Sequence, residues 1–190
     1  MQFADPPAQV AWRHKDLREG FEVVFLEPRW TVEGATTAVE DGEAFAVQYA
    51  IDLSPDWITR SARVASFGRE VHLHADGDGA WQVQGKPAPE LDGIFDVDLE
   101  SSSFTNAFPV HRLALAVGES RDAPAAWVRF STLAVERLEQ RYTRLPDDEA
   151  GRARFDYWSP DLQCELVYDE FGLVLDYPGI ATRAGAPRTG

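Results

Sequence analysis

From Glu43 to Leu53 the large apolar residues fall on every second position: Phe45, Val47, Tyr49, Ile51 and Leu53. Successive side chains of an extended chain point to opposite faces, so this spacing specifies a strand with one apolar face. The same period returns along most of the chain, broken by turn residues about every ten positions, as in all-β folds. Strands are predicted at 21–26, 30–39, 43–53, 57–67, 70–75, 80–84 and 91–99 in the first half. In the second half they are predicted at 112–117, 126–131, 133–144, 152–158, 161–168 and 172–177. Residues 133–144 also suit a helix, through Leu133, Glu136, Arg137 and Gln140. The stretch 101–111, with Phe104 and Phe108 among Ser, Thr and Asn, reads as a loop or helical turn, and 181–190 as a polar tail.

So many antiparallel strands in 190 residues must protect their edges. The expectation is a mainly β fold: a strongly curved antiparallel sheet forming a half-closed or closed barrel, with few short helices. One domain over 1–190 is expected, with an ordered core at about 10–183 and a flexible tail at 184–190. Aromatic residues make up 12% of the chain, enough to line a barrel wall as well as fill a core.

Charge narrows the partners. There are 32 acidic and 18 basic residues, a formal net charge of −14. Such a surface repels phosphate backbones and anionic headgroups, which argues against nucleic acid and electrostatic membrane docking. Cys164 is the one cysteine, so neither an internal disulfide nor a cysteine zinc site is available. No stretch approaches the ~20 apolar residues of a membrane-spanning helix, and the first residues lack a signal-peptide pattern. A cytoplasmic protein without membrane insertion is the expectation.

Motifs of catalysis are sparse. Asp76-Gly77-Asp78-Gly79 is a turn; as a calcium loop it would place Ala80 and Pro87 where ligands belong. His72 and His74 share a strand face, but no third metal ligand accompanies them. Ser101, Ser102 and Ser103 precede His111 without the context of a triad. Asp92, Asp96 and Asp98 are more informative, because an even spacing puts all three on one face of the predicted strand. Three such carboxylates repel unless a cation, arginines or bulk water neutralises them. Arg60, Arg112 and Arg141 are the candidate partners by bidentate pairing; a divalent metal is the alternative.

A run of motifs carries a family resemblance. They are Asp56-Trp57-Ile58-Thr59-Arg60, Asp78-Gly79-Ala80-Trp81, Leu91-Asp92-Gly93 and Asp96-Val97-Asp98-Leu99 in the first half. Phe104-Thr105-Asn106, Pro109-Val110-His111-Arg112-Leu113, Gln140-Arg141-Tyr142 and Asp176-Tyr177-Pro178-Gly179 follow. In order and spacing, from about residue 12 to 183, the chain resembles the bacterial family described as putative glycolipid-binding. The resemblance implies a curved or half-closed barrel like those of lipid and lipoprotein carriers. Where that family has a cysteine, a Thr-Leu pair and a basic residue, this chain has Ile94, Ala107-Phe108 and His111.

The function expected is therefore non-catalytic binding of an amphipathic or lipid-like ligand in an aromatic-lined barrel cavity. Its lining is expected to include Trp57, Arg60, Trp81, Asp96, Asp98, Asn106, Arg112, Arg141 and Tyr142. No cofactor and no resident metal are expected. The alternative is a metal-dependent hydrolase of a phosphorylated small molecule, with Asp96 and Asp98 as ligands.

Overall fold

The structure, a computed structural model, describes residues 3–27 and 30–185. Its first half is a meander of β1 (Gln9–His14), β2 (Arg18–Glu27), β3 (Thr31–Glu40), β4 (Glu43–Leu53), β5 (Thr59–Ser66), β6 (Arg69–Ala75), β7 (Trp81–Val83) and β8 (Lys86–Pro87). A central segment follows with β9 (Asp96–Leu99), α1 (Ala107–Leu113), β10 (Ser120–Asp122), β11 (Ala125–Val128) and β12 (Val135–Leu138). The chain then returns to the meander through β13 (Arg141–Leu145), β14 (Ala153–Ser159), β15 (Leu162–Tyr168), β16 (Val174–Tyr177) and β17 (Ala181–Arg183). Fourteen strands make one sheet in the order β10-β13-β14-β15-β16-β17-β1-β2-β3-β4-β5-β6-β7-β8. The other three form a small sheet, β12-β11-β9, in which β9 and β11 run parallel.

The mainly β expectation holds, and the barrel is corrected. β8 and β10 are the two ends of the large sheet, and among the described residues no ladder joins them. The physical reason is the central segment, which covers the inner face that closure would otherwise have to hide. The Trp81 indole donates to the Ile94 carbonyl at 2.8 Å, Thr59 N–H to Phe95 at 3.0 Å, and the Thr36 hydroxyl to Ser101 at 2.8 Å. Leu91, Ile94, Leu99, Phe104 and Phe108 pack there against Trp12, Val24, Ile51 and Leu73, all buried. Each such side chain removed from water contributes about 1.5–3 kcal/mol. A second apolar cluster lies under β13–β16, where Tyr142, Phe155, Leu166 and Tyr168 meet Val110.

Three local differences have clear causes. Within 91–99 only β9 is extended, because Pro89–Leu91 forms a 3-10 turn and Gly93 takes φ +81°. Asp92 therefore leaves the strand and is exposed. At 112–117 the strand is replaced by the end of α1 (to Leu113) and the irregular chain after it; α1 began on Ala107-Phe108-Pro109, and proline is tolerated in a first turn, where no N–H is needed. Residues 133–144 are two strands, β12 and β13, in different sheets. β1, β8, β10 and β17 were not predicted, and β17 occupies the start of the expected tail; residues 186–190 lie outside the described residues.

Candidate ligand-binding site

β9, α1 with the 3-10 turn before it (Phe104–Asn106), and β13 bring five of the nine expected residues together. Arg112 grips Asp96 with two hydrogen bonds, Nε to Oδ1 at 3.0 Å and Nη2 to Oδ2 at 2.5 Å. Asp96 is 2% exposed; burial pushes its carboxyl upward and the guanidinium pulls it back. Two residues along β9, Asp98 accepts from the Thr105 hydroxyl and the Gln140 amide, each at 2.7 Å. Burial raises it to about 6 against those two bonds, with the charges of Glu100 and Asp96 adding to the rise. Asn106 accepts from the Tyr142 hydroxyl at 3.0 Å through its side chain and from Tyr168 at 3.2 Å through its carbonyl. The Gln140 amide also donates to Tyr157 at 3.0 Å. This network ties the small sheet and helix to the inner face of β13–β15. It is an interior network, and each carboxylate in it is already engaged by protein donors.

The other four lie apart. Trp81 is buried in the first core, with its indole N–H spent on Ile94. Arg60 is exposed and donates to the Asp76 carbonyl at 2.6 Å, over Gly77. Arg141 is exposed beside Asp122 at the β10 edge, 2.7 Å away. Trp57 is 7% exposed and stacks face to face on His111, with centroids 3.7 Å apart and planes 9° off parallel. His111 Nε2 lies 3.0 Å from the Phe171 carbonyl, which can only accept, so Nε2 carries the proton. Burial lowers His111 to about 4, leaving it neutral near pH 7. Trp57 also meets Trp30 at 5.8 Å and 72°.

A metal shared by Asp96 and Asp98 finds no third ligand: among the described residues no group of three or more His, Cys, Asp or Glu converges. His72 and His74 are exposed on β6, with His72 2.6 Å from Glu70. Asp76 accepts from the N–H groups of Asp78 and Ala80, at 2.7 and 3.0 Å, which is a turn. Cys164 is half-buried on β15, and burial pushes its thiol up to about 11, away from nucleophilic use.

A roomy concavity lies elsewhere. A groove of about 1270 Å³ runs across the outer face of β2, β1, β17, β16 and β15. Ala11, Val23, Val167 and Leu175 supply apolar floor, and Arg13, Arg152, Glu170 and Asp176 add charge. None of the nine expected residues lines it. Its β2 wall is turned inside out. Glu22 points inward and is fully buried, accepting from the Tyr49 hydroxyl at 2.7 Å, the Ser103 N–H at 2.7 Å and the Ser102 hydroxyl. Phe21, Val23 and Phe25 point outward, 42%, 38% and 47% exposed. The signal was present in FEVVFL at 21–26: a run apolar on both faces leaves an apolar side in water whenever its partner sheet covers one face only.

The family model described as Putative glycolipid-binding matches residues 9–183. A crystal structure of a DUF1089 family protein from Pseudomonas aeruginosa is 31% identical, with a TM-score of 0.75; the match covers 96% of this chain and 99% of that one. No curated protein matches. Among the described residues no helix is long and apolar enough to cross a membrane.

Proposed function

The chain belongs to the Putative glycolipid-binding family, and from that premise we propose that it binds an amphipathic, lipid-like ligand without catalysis, in the outer groove rather than in a barrel lumen. The observation that carries this reading is the groove itself, about 1270 Å³, floored by Ala11, Val23, Val167 and Leu175 and continuous with the exposed rings of β2. Sites for small molecules have volumes of this order, with mostly apolar walls and a few polar groups to fix orientation. Arg13 supplies one such group, held over the Phe21 ring at 5.2 Å. The nine residues expected to line a cavity then divide by role. Asp96, Asp98, Asn106, Arg112 and Tyr142 hold the covering segment in place, so they shape the sheet that carries the groove.

The test is displacement of a fluorescent C12–C16 fatty acid from the full chain, paired with Val23→Asp. Val23 is an exposed groove residue, so the change leaves the fold alone and places a charge where the apolar chain would lie. Saturable binding by the native protein, weakened roughly tenfold or more by Val23→Asp, is expected. Absence of binding, or equal binding by both proteins, would overturn the proposal.

A further inference from the structure

Arg183 ends β17 opposite Trp12 of β1, and its guanidinium lies over the indole ring at 4.9 Å. Its side chain is only 10% exposed, yet it lines the groove, at the end walled by the turn between β15 and β16. Among the described residues no acceptor takes a hydrogen bond from it, and Nη1 is wholly buried without a partner. Asp169 Oδ2 lies 3.4 Å from Nη1, within reach of charge attraction but not in hydrogen-bond geometry. The other oxygen of Asp169 is committed to the turn: Oδ1 accepts from the N–H groups of Phe171 and Leu173 at 3.0 and 2.9 Å. Arg18, Arg112 and Arg144, also withdrawn from water, each donate to a carboxylate, those of Glu40, Asp96 and Asp147. Arg183 is the exception. Burial lowers its proton affinity against the pull of Asp169 and Glu170.

A guanidinium carries its N–H donors in a fixed planar fork, and withdrawing such donors from water unpaired is costly. Stacking on Trp12 uses the face of that plane and leaves its edge free, while holding it in one orientation. The fork fits two oxygens of one anion, as in a carboxylate or a phosphate. Charge chooses between them. Asp169 and Glu170 line the same end of the groove, and the chain carries −14 overall, so each further negative charge on a ligand is opposed. A carboxylate brings one such charge, and a phosphate monoester brings about two near neutral pH. A neutral hydroxyl leaves the buried cation unmatched, and an ammonium is repelled by it. Away from Arg183 the same groove offers the apolar floor of Ala11, Val23, Val167 and Leu175, which suits an alkyl chain.

We propose that Arg183 is the anchor for the ligand's head in the groove, and that the head is a monoanionic carboxylate, which makes the ligand class a long-chain carboxylic acid. The proposal rests on the groove reading above, and its test separates the two. Monomeric decanoate, 1-decanol and decyl phosphate are titrated at about pH 8, where the carboxylic acid is ionised. The proteins are the full chain and its Arg183→Met, Arg183→Lys, Asp169→Asn and Val23→Asp variants. The native protein is expected to bind decanoate about tenfold more tightly than decanol, and more tightly than decyl phosphate. Arg183→Met should erase that preference with decanol affinity unchanged; Arg183→Lys, which keeps the charge and loses the fork, should restore part of it. Asp169→Asn keeps the turn acceptor and removes an opposing charge, so it should tighten decanoate and leave decanol alone. Val23→Asp should weaken all three probes. If decanol binds but decanoate gains nothing, or the gain survives Arg183→Met, or decyl phosphate gains more, the carboxylate anchor is overturned and the groove stands. If no probe binds, both fall. Thermal unfolding checks that Arg183→Met is folded; should it not be, Asp169→Asn decides, and decanoate binding that is unchanged or weaker overturns the anchor.

Discussion

Arg112 and Asp96 meet as parallel forks, two hydrogen bonds deep in the interior, with the guanidinium arriving from the last turn of α1 and the carboxylate from β9. The pair joins the helix to the small sheet, and the carboxylate is 2% exposed. Removing one partner strands the other charge in a poor solvent, which costs about 3–5 kcal/mol. Asp96→Leu and Arg112→Met are each expected to lose about that much by urea unfolding. The double variant should recover a large part of the loss, since no unpaired charge remains. Additive losses would show that the pair acts through packing alone.

Asp98 makes stability fall as pH rises through the weakly acidic range. Its folded value is about 6, against an ordinary value of 3.8, so the folded state holds the proton more tightly than the unfolded chain. The stabilisation is complete below about pH 4 and is lost as pH rises through about 6. Roughly two units correspond to at most ~3 kcal/mol. Asp98→Asn, followed by urea unfolding between pH 4 and 7, should flatten this part of the profile relative to the native protein.

His111 works in the opposite direction. Burial holds it at about 4, against an ordinary value of 6.5, so its contribution is complete above about pH 6.5 and is lost as pH falls toward 4. His111→Phe keeps a flat ring against Trp57 and removes the proton. Its stability is expected to drop less than the native protein's between pH 6.5 and 4, read by thermal melts across that range. An identical acid slope would place the sensitivity elsewhere, with His14, also held at about 4 by burial and by Arg18, as the next position to change.

Gly34 and Tyr49 face each other across β3 and β4, and the phenol ring lies over the glycine. A Cβ on Gly34 would overlap that ring, although the backbone there is ordinary extended chain. Gly34→Ala is therefore expected to displace Tyr49 and cut its hydrogen bond to the buried Glu22. Overpacking of this kind costs about 1–3 kcal/mol, and the lost bond adds to it. Thermal and urea unfolding provide the measure; a neutral or stabilising result would show that the ring moves freely.

Reading by period two located most strands because alternation is a local consequence of pleating. β4 was legible to the residue, from Phe45 to Leu53, and β14 and β15 nearly so. The pairing of Asp96 with an arginine was legible too, since closely spaced carboxylates demand neutralisation and Arg112 stood among three candidates. Which arginine it was depended on α1, whose helical turn replaced a predicted strand and carried Arg112 inward. Arg60 and Arg141 could not be separated from it by sequence, because partner choice is a matter of distance between elements far apart in the chain.

The remainder belongs to tertiary structure. Whether the large sheet closes depends on what covers its inner face, and the covering segment lies between the two halves of the meander in sequence and on top of them in space. Which side of β2 meets water depends on Glu22 finding Tyr49, Ser102 and Ser103 inside, so its phenylalanines were free to face out. Local chemistry determined that this chain would be pleated, acidic and rich in rings. Long-range contacts alone decided that the rings of the interior are spent on packing, and that Phe21, Val23 and Phe25 are left facing outward.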